Sequence, residues 1–234
     1  MSGFVFADLI AICLFAAAWV IYHHMLRTHA RTALNAQMSY YRLRWMQEMA
    51  GRDVRIVDSA IIASLQNGTA FFASTSLLAL GGTAALLRSS DDMMRVATDF
   101  PFGFVPTRAM FEIKVIGLLI LFGYAFFKFA WAYRLFNYCA ILIGATPPAK
   151  SENDDERRRI ATYAGRMNIA AARQFTRGQR AFFFALAYLG WFLGPYVLMV
   201  TTGVVLFFMW SRQYRSEAHD AIDPSKHVSD ADAS

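Results

Sequence analysis

The chain reads as an all-α protein: a transmembrane four-helix bundle with amphipathic helices on its cytoplasmic side. Three observations predict that class. Of 234 residues, 56% are hydrophobic, and they gather in runs that match the roughly 18 to 20 residues a helix needs to cross a bilayer. Lys and Arg collect instead in two loops between those runs. Within both loops apolar residues return at three- and four-residue steps, the period of a helix with one apolar face. A segment in hydrocarbon must satisfy its own backbone amides, so each apolar run is read as helix.

The first span covers about 4–22. Its charges follow it, at His23, His24, Arg27 and Arg31, and no basic residue precedes it. A cleaved leader has the opposite order, so this is a retained transmembrane helix. Asp8 lies about one turn inside the span. A carboxyl group at that depth needs a partner or a function.

Residues 23–59 carry six arginines, and Leu34, Met38, Tyr41, Trp45 and Met49 mark an amphipathic helix. Gly51 ends it, and Asp53 is placed to cap the next helix. The second span, about 60–87, has no charged side chain from Thr69 to Leu87. Gln66 and Asn67 lie at its entrance. Asn67, Ser74 and Gly81 are seven apart and share a face, which small residues suit for close helix contact. That face is expected to meet the third span.

Beyond Leu87, Ser90, Asp91 and Asp92 look like a short helix start. Phe100 to Pro106, with two prolines, is expected as an aromatic interfacial loop. The third span covers about 113–135. Lys114, Gly117, Leu121, Tyr124, Lys128 and Trp131 form a stripe with a lysine near each end. Lys114 falls at the depth of Asp8, and Lys128 at that of Gln66 and Asn67. Two polar clusters result, with structural pairing as the ordinary reading.

Residues 132–180 hold nine basic side chains. Ile143 to Pro148 turns the chain, and Glu152 to Glu156 supply the acids that suit a helix start. Arg159, Arg166, Arg173 and Arg180 recur every seven residues, with Arg177 beside them. This basic amphipathic helix is expected to bind anionic lipid headgroups. The fourth span covers about 181–210, with a GxxxG at Gly190–Gly194 and a kink at Pro195. Residues 211–234 read as a polar tail.

Four spans place both termini on one side. Fifteen Lys and Arg lie in the two long loops against six on the other side, so the loops are expected to be cytoplasmic and the termini outside an inner (plasma) membrane. The net charge of +6 follows from that bias and not from nucleic-acid binding. Cys13 and Cys139 have no CxxC or metal-ligand spacing, and His23, His24 and His29 lack further ligands. There is no Walker loop, dinucleotide fingerprint, HExxH or GxSxG. No catalytic residue, metal or cofactor is expected.

Asn67 with the following FFASTSLL, KFAWAYRLFNY (Lys128 to Tyr138) with IGATP, and RGQRAFFFALAYLGWFLGP (Arg177 to Pro195) resemble a bacterial and plant membrane family, the domain-of-unknown-function family numbered 599. The resemblance covers most of the chain except the tail. It implies a multi-pass membrane protein and supplies no activity.

The leading expectation is a non-enzymatic accessory, assembly or interaction component. Its partners would be the bilayer, anionic headgroups, and membrane proteins or further copies of itself. A small-solute transporter or channel acting as an oligomer is the alternative, and a lipid-directed enzyme the third. A transporter needs a water path joining Asp8/Lys114 to Asn67/Lys128. An enzyme needs a lateral cavity with a convergent acid or nucleophile.

Overall fold

The computed structural model describes residues 2–28, 34–88 and 107–214. These residues form six helices and no strand: α1 (Ser2–Thr28), α2 (Leu34–Ala50), α3 (Ile56–Arg88), α4 (Arg108–Ala145), α5 (Asp154–Leu193) and α6 (Pro195–Tyr214). Four stretches are long and apolar enough to cross a membrane: Phe6–Met25, Ile56–Arg88, Arg108–Ala145 and Pro195–Gln213. The all-α class is the one expected. The helix start at Ser90, the loop 100–106, His29 and the tail from 215 lie outside the described residues.

The α4–α5 pair is the spine. Phe111, Val115, Leu118, Phe122, Ala125, Phe129, Ala132, Phe136, Cys139 and Ile143 are all buried. They alternate by four and three, the coiled-coil seam of a left-handed pair. Opposite them α5 buries small residues, including Ala161, Ala164, Ala171, Gly178, Ala181 and Ala185. Large side chains on one helix and small ones on the other let the backbones approach closely where lipid offers no hydrophobic drive. Three glycines of α5 mark the closest approaches. An added Cβ would sit 2.7 Å from Leu43 at Gly165, 2.8 Å from the Phe129 ring at Gly178, and 2.6 Å from Thr201 at Gly190. So α5 crosses α2, α4 and α6 in turn, each through a glycine.

The basic helix and the beginning of the expected fourth span are one helix. Nothing from Asp154 to Leu193 is proline, and the 40 residues make a rod of about 60 Å, twice the roughly 30 Å of a bilayer core. The chain reverses at Gly194, whose φ of 141° suits only glycine. Pro195 then opens α6, as proline does at a first helical position. The span expected over 181–210 is therefore two antiparallel arms. Thr201 Oγ1 donates to Ala187 O at 2.8 Å, the Phe183 and Phe208 rings meet at 6.1 Å, and Arg212 donates to Gln179 at 3.4 Å. The GxxxG pair splits its work, Gly190 for contact and Gly194 for the turn.

Helix α1 packs on this hairpin. Phe15 meets Phe184 at 5.5 Å and Tyr188 at 5.4 Å, and the Tyr22 hydroxyl donates to Met209 O at 3.3 Å. Helix α3 lies on the far flank of α4, where Phe72 stacks on Phe129 at 5.4 Å. Its buried face is Ile62, Thr69, Ser76 and Thr83, whereas Asn67, Ser74 and Gly81 are exposed. The expected contact of the Asn67 face with α4 is thus overturned. The two rows are offset by two residues, about 200° around the helix. Thr69 and Thr83 can be buried because their hydroxyls donate back to Leu65 O and Ala79 O, each at 2.7 Å.

Helix α2 lies across the first half of α5 and buries Met46, Met49 and Ala50, while Met38 and Tyr41 are exposed. Asp53 does not cap α3. It reaches Lys150 at 3.8 Å on the surface. Asp58, fully buried, ties α2 to α3 by accepting from Trp45 Nε1 at 2.7 Å and Arg52 at 2.8 Å. Arg55 satisfies the open end of α4, donating to the carbonyls of Ile143, Thr146 and Pro147 at 3.2, 2.5 and 2.6 Å.

Candidate functional site

Polar side chains gather at both ends of the bundle, under different physical conditions. At one end Asp8 of α1 is 2% exposed and Lys114 of α4 is 3% exposed. Their Nζ–Oδ1 separation is 3.8 Å. Trp191 of α5 joins them: its Nε1 donates to Asp8 Oδ1 at 2.6 Å, and its carbonyl accepts from Lys114 Nζ at 2.8 Å. The ammonium also lies 5.0 Å from the Trp191 ring centroid. The turn chemistry explains why that carbonyl is available. In a continued helix Trp191 O would accept from residue 195, and Pro195 has no N–H. Gly194 N, at 3.2 Å, and Lys114 take its place. Asp8 Oδ2 has no hydrogen-bond partner among the described residues.

The second expected cluster does not assemble. Gln66 donates to Asn137 Oδ1 at 2.6 Å, joining α3 to α4. Asn67 faces outward. Lys128, half-buried, lies 5.2 Å from the Tyr124 ring, and Tyr124 meets Trp19 of α1 at 6.1 Å. Gln66 and Lys128 thus serve opposite flanks of α4. Shared depth did not imply a shared face.

At the end opposite Asp8, α1, α2, α4 and α5 line two adjoining half-open chambers. The smaller, about 280 Å³, is walled by Trp19, Tyr22, Tyr124 and Phe184, with His23, Arg177 and Arg180. The larger, about 560 Å³, shares those three residues and adds Arg42, Arg173 and several uncharged polar groups. Among the described residues lining either chamber, none is Asp or Glu. Of the five arginines expected to bind headgroups, Arg173, Arg177 and Arg180 meet here. Arg166 is exposed outside the chambers, and Arg159 lies 3.8 Å from Glu156.

Arg42 is the member that sequence reading missed. It donates to Asn168 Oδ1. Asn168, fully buried, is steadied in turn by Cys139 Sγ, to which its amide donates at 3.7 Å. Burial draws the Arg42 pKa below its ordinary value, but a guanidinium starts high enough to stay charged. The available signal was Asn168, a polar residue at a seam position between Ala164 and Ala171 on an otherwise small-residue face. Arg157 is used differently: it donates to Pro148 and Ala149 carbonyls and pairs with Asp154, closing the turn before α5.

No group of three His, Cys, Asp or Glu able to hold a metal occurs among the described residues. Chemically, the arginine end can neutralise an anion, and its aromatic chamber can take an apolar chain. The Asp8 end is already internally neutralised.

A family model described as a protein of unknown function, DUF599, matches residues 10–218. No curated protein matches the chain and no solved structure does.

Proposed function

The chain belongs to the DUF599 family, and from that premise we propose that it is a non-enzymatic inner-membrane component that holds an anionic lipid by its phosphate. The observation that carries this reading is the arginine-lined groove between α1, α2 and α5, with no carboxylate among the described residues that line it. Clustered like charges cost free energy unless an anion joins them. Trp19 and Tyr124 belong to the interfacial aromatics that sit at headgroup level.

The hairpin supports a revised topology. Because α6 returns along α5, the last part of α5 crosses beside the four long apolar helices, making five crossings. In this topology α6 ends at the arginine end and α1 begins at the Asp8 end. Arg212, Arg215 and Lys226 join the basic side, leaving only Arg88, Arg95 and Arg108 opposite. The positive-inside bias is sharper than with four crossings and places the arginine end in the cytoplasm. A fluorescent protein fused after Ser234 should therefore glow, and alkaline phosphatase fused there should be inactive. The reverse pattern would sink this topology.

A transporter has less support. Between Lys114 and Lys128 of α4 the core carries buried Leu118, Phe122 and Ala125, and the two polar ends have no polar residues in common. For an enzyme, the described residues lining the groove offer arginines and His23 and include no acid.

The test is lipid retention. The full chain, extracted in mild detergent, should carry anionic phospholipid well above its share of the membrane. Arg177→Gln/Arg180→Gln should carry lipid in bulk proportion. Bulk proportions in the unaltered protein would end the proposal.

A further inference from the structure

We infer that the lipid's headgroup bears free hydroxyls, so the occupant is a phosphodiester lipid with a polyol or sugar headgroup. This rests on the lipid reading above. The two chambers grade in chemistry. The smaller is aromatic and aliphatic, through Val20, apart from His23, Arg177 and Arg180. Those three form the wall common to both chambers. The larger continues into Asn35, Ser39, Thr176, Gln179 and Gln213, with Ala36, Met38, Ala172 and Phe175 among them. A lipid has the same order: chain, phosphate, headgroup. The larger chamber is also twice the smaller one, about 560 against 280 Å³. A bare phosphate monoester would end at the shared wall and leave the polar groups beyond it to water.

Hydrogen-bond polarity narrows the headgroup. Ser39 Oγ spends its proton on Asn35 O at 2.8 Å, and Thr176 Oγ1 on Ala172 O at 3.0 Å. Each hydroxyl can then only accept. The Gln179 side-chain oxygen already accepts from Arg212. A headgroup in this chamber can therefore bond to Ser39 and Thr176 only by donating to them. Ammonium groups donate, but this chamber also holds Arg42 and Arg173, and none of the described residues lining it is a carboxylate. Arg42 is pinned by Asn168 and cannot swing away. A second cation is repelled, so the donor is neutral, and a hydroxyl fits.

The experiment uses the full chain in neutral-lipid nanodiscs, with phosphatidylglycerol, phosphatidic acid and phosphatidylserine titrated in and bound lipid read by native mass spectrometry. Phosphatidylglycerol should be retained roughly tenfold over the other two, an equivalent of about 1.4 kcal/mol. Ser39→Val/Thr176→Val should erase that preference while all anionic lipids still bind. Ser39→Thr/Thr176→Ser should keep it. Soluble glycerol phosphate at equal concentration should displace nothing, and full displacement would move the site from lipid to soluble metabolite and overturn the proposal. Equal retention of the three anionic lipids overturns the hydroxyl assignment and leaves the phosphate reading standing. No retention above neutral lipid overturns both. The ranking in the unaltered protein is decisive even if the valine variant fails to fold.

Discussion

At one end of the bundle a carboxyl and an ammonium are shut together behind Trp191, both nearly inaccessible. At the other end Arg173, Arg177 and Arg180 line open space with no acid among the described lining residues. Removing a charge from water costs several kcal/mol unless a partner and hydrogen bonds replace the solvent. The Asp8 end meets that condition within one chain, by drawing on three helices and a carbonyl released by Pro195. The arginine end leaves its condition open, to be met by water or an anion. A pair that is already neutral has little to recognise and is suited to hold α1, α4 and α5 together. A cation cluster with no acid among its described lining residues is suited to bind, as proposed above.

The strongest way to break the comparison is Asp8→Ala, which strands a buried ammonium. It should cost about 3–5 kcal/mol, seen as a large fall in the detergent unfolding midpoint. Asp8→Leu/Lys114→Met should recover most of it, because an apolar pair needs no solvation. A loss below about 1 kcal/mol for the single change would show that the end is not sealed. Next in size is Gly117→Ala. The new Cβ would fall 2.0 Å from the Tyr188 hydroxyl, near Lys114, and overpacking of this kind costs about 1–3 kcal/mol. Unfolding curves that superimpose with the parent's would mean this end is loosely packed.

The open end should behave oppositely. Arg177→Gln/Arg180→Gln should leave lipid-free stability within about 0.5 kcal/mol or slightly higher, since it relieves repulsion between neighbours. A fall of several degrees in lipid-free detergent would make these arginines structural. Smallest of all is Asn67→Leu, expected to change stability by less than about 0.5 kcal/mol, whereas Thr69→Leu should cost more by overfilling the α3–α4 contact. If Asn67→Leu were the costlier, the face of α3 assigned here would be wrong.

Some of this was legible in the residues. The spans could be read because an uncharged run of bilayer length has few other uses. The meeting of Asp8 and Lys114 was foreseen from depth, since a lone intramembrane charge demands a partner. Trp191 was not, because the demand created by Pro195 falls on a carbonyl, which leaves no mark in side-chain pattern. The arginine row announced itself by its seven-residue spacing, yet only its last members reach the groove. Arg166 and Arg159 stand about two and four turns further along a rigid helix, beyond the reach of α1.

Composition and run length were enough to establish that the chain is helical and carries helices long and apolar enough to cross a membrane. These are sums over many residues, and no single contact alters them. Choosing between Asn67 and Thr69 as the inward face required the neighbouring helix, because both rows repeat every seven residues with small or weakly polar side chains. Turning 181–210 from one kinked span into two arms required the return contacts of Thr201, Phe208 and Arg212, because Gly-Pro in an apolar run permits either path. The groove exists only once α1, α2 and α5 converge from positions more than a hundred residues apart. No local pattern encodes a space whose walls are assembled from such distances.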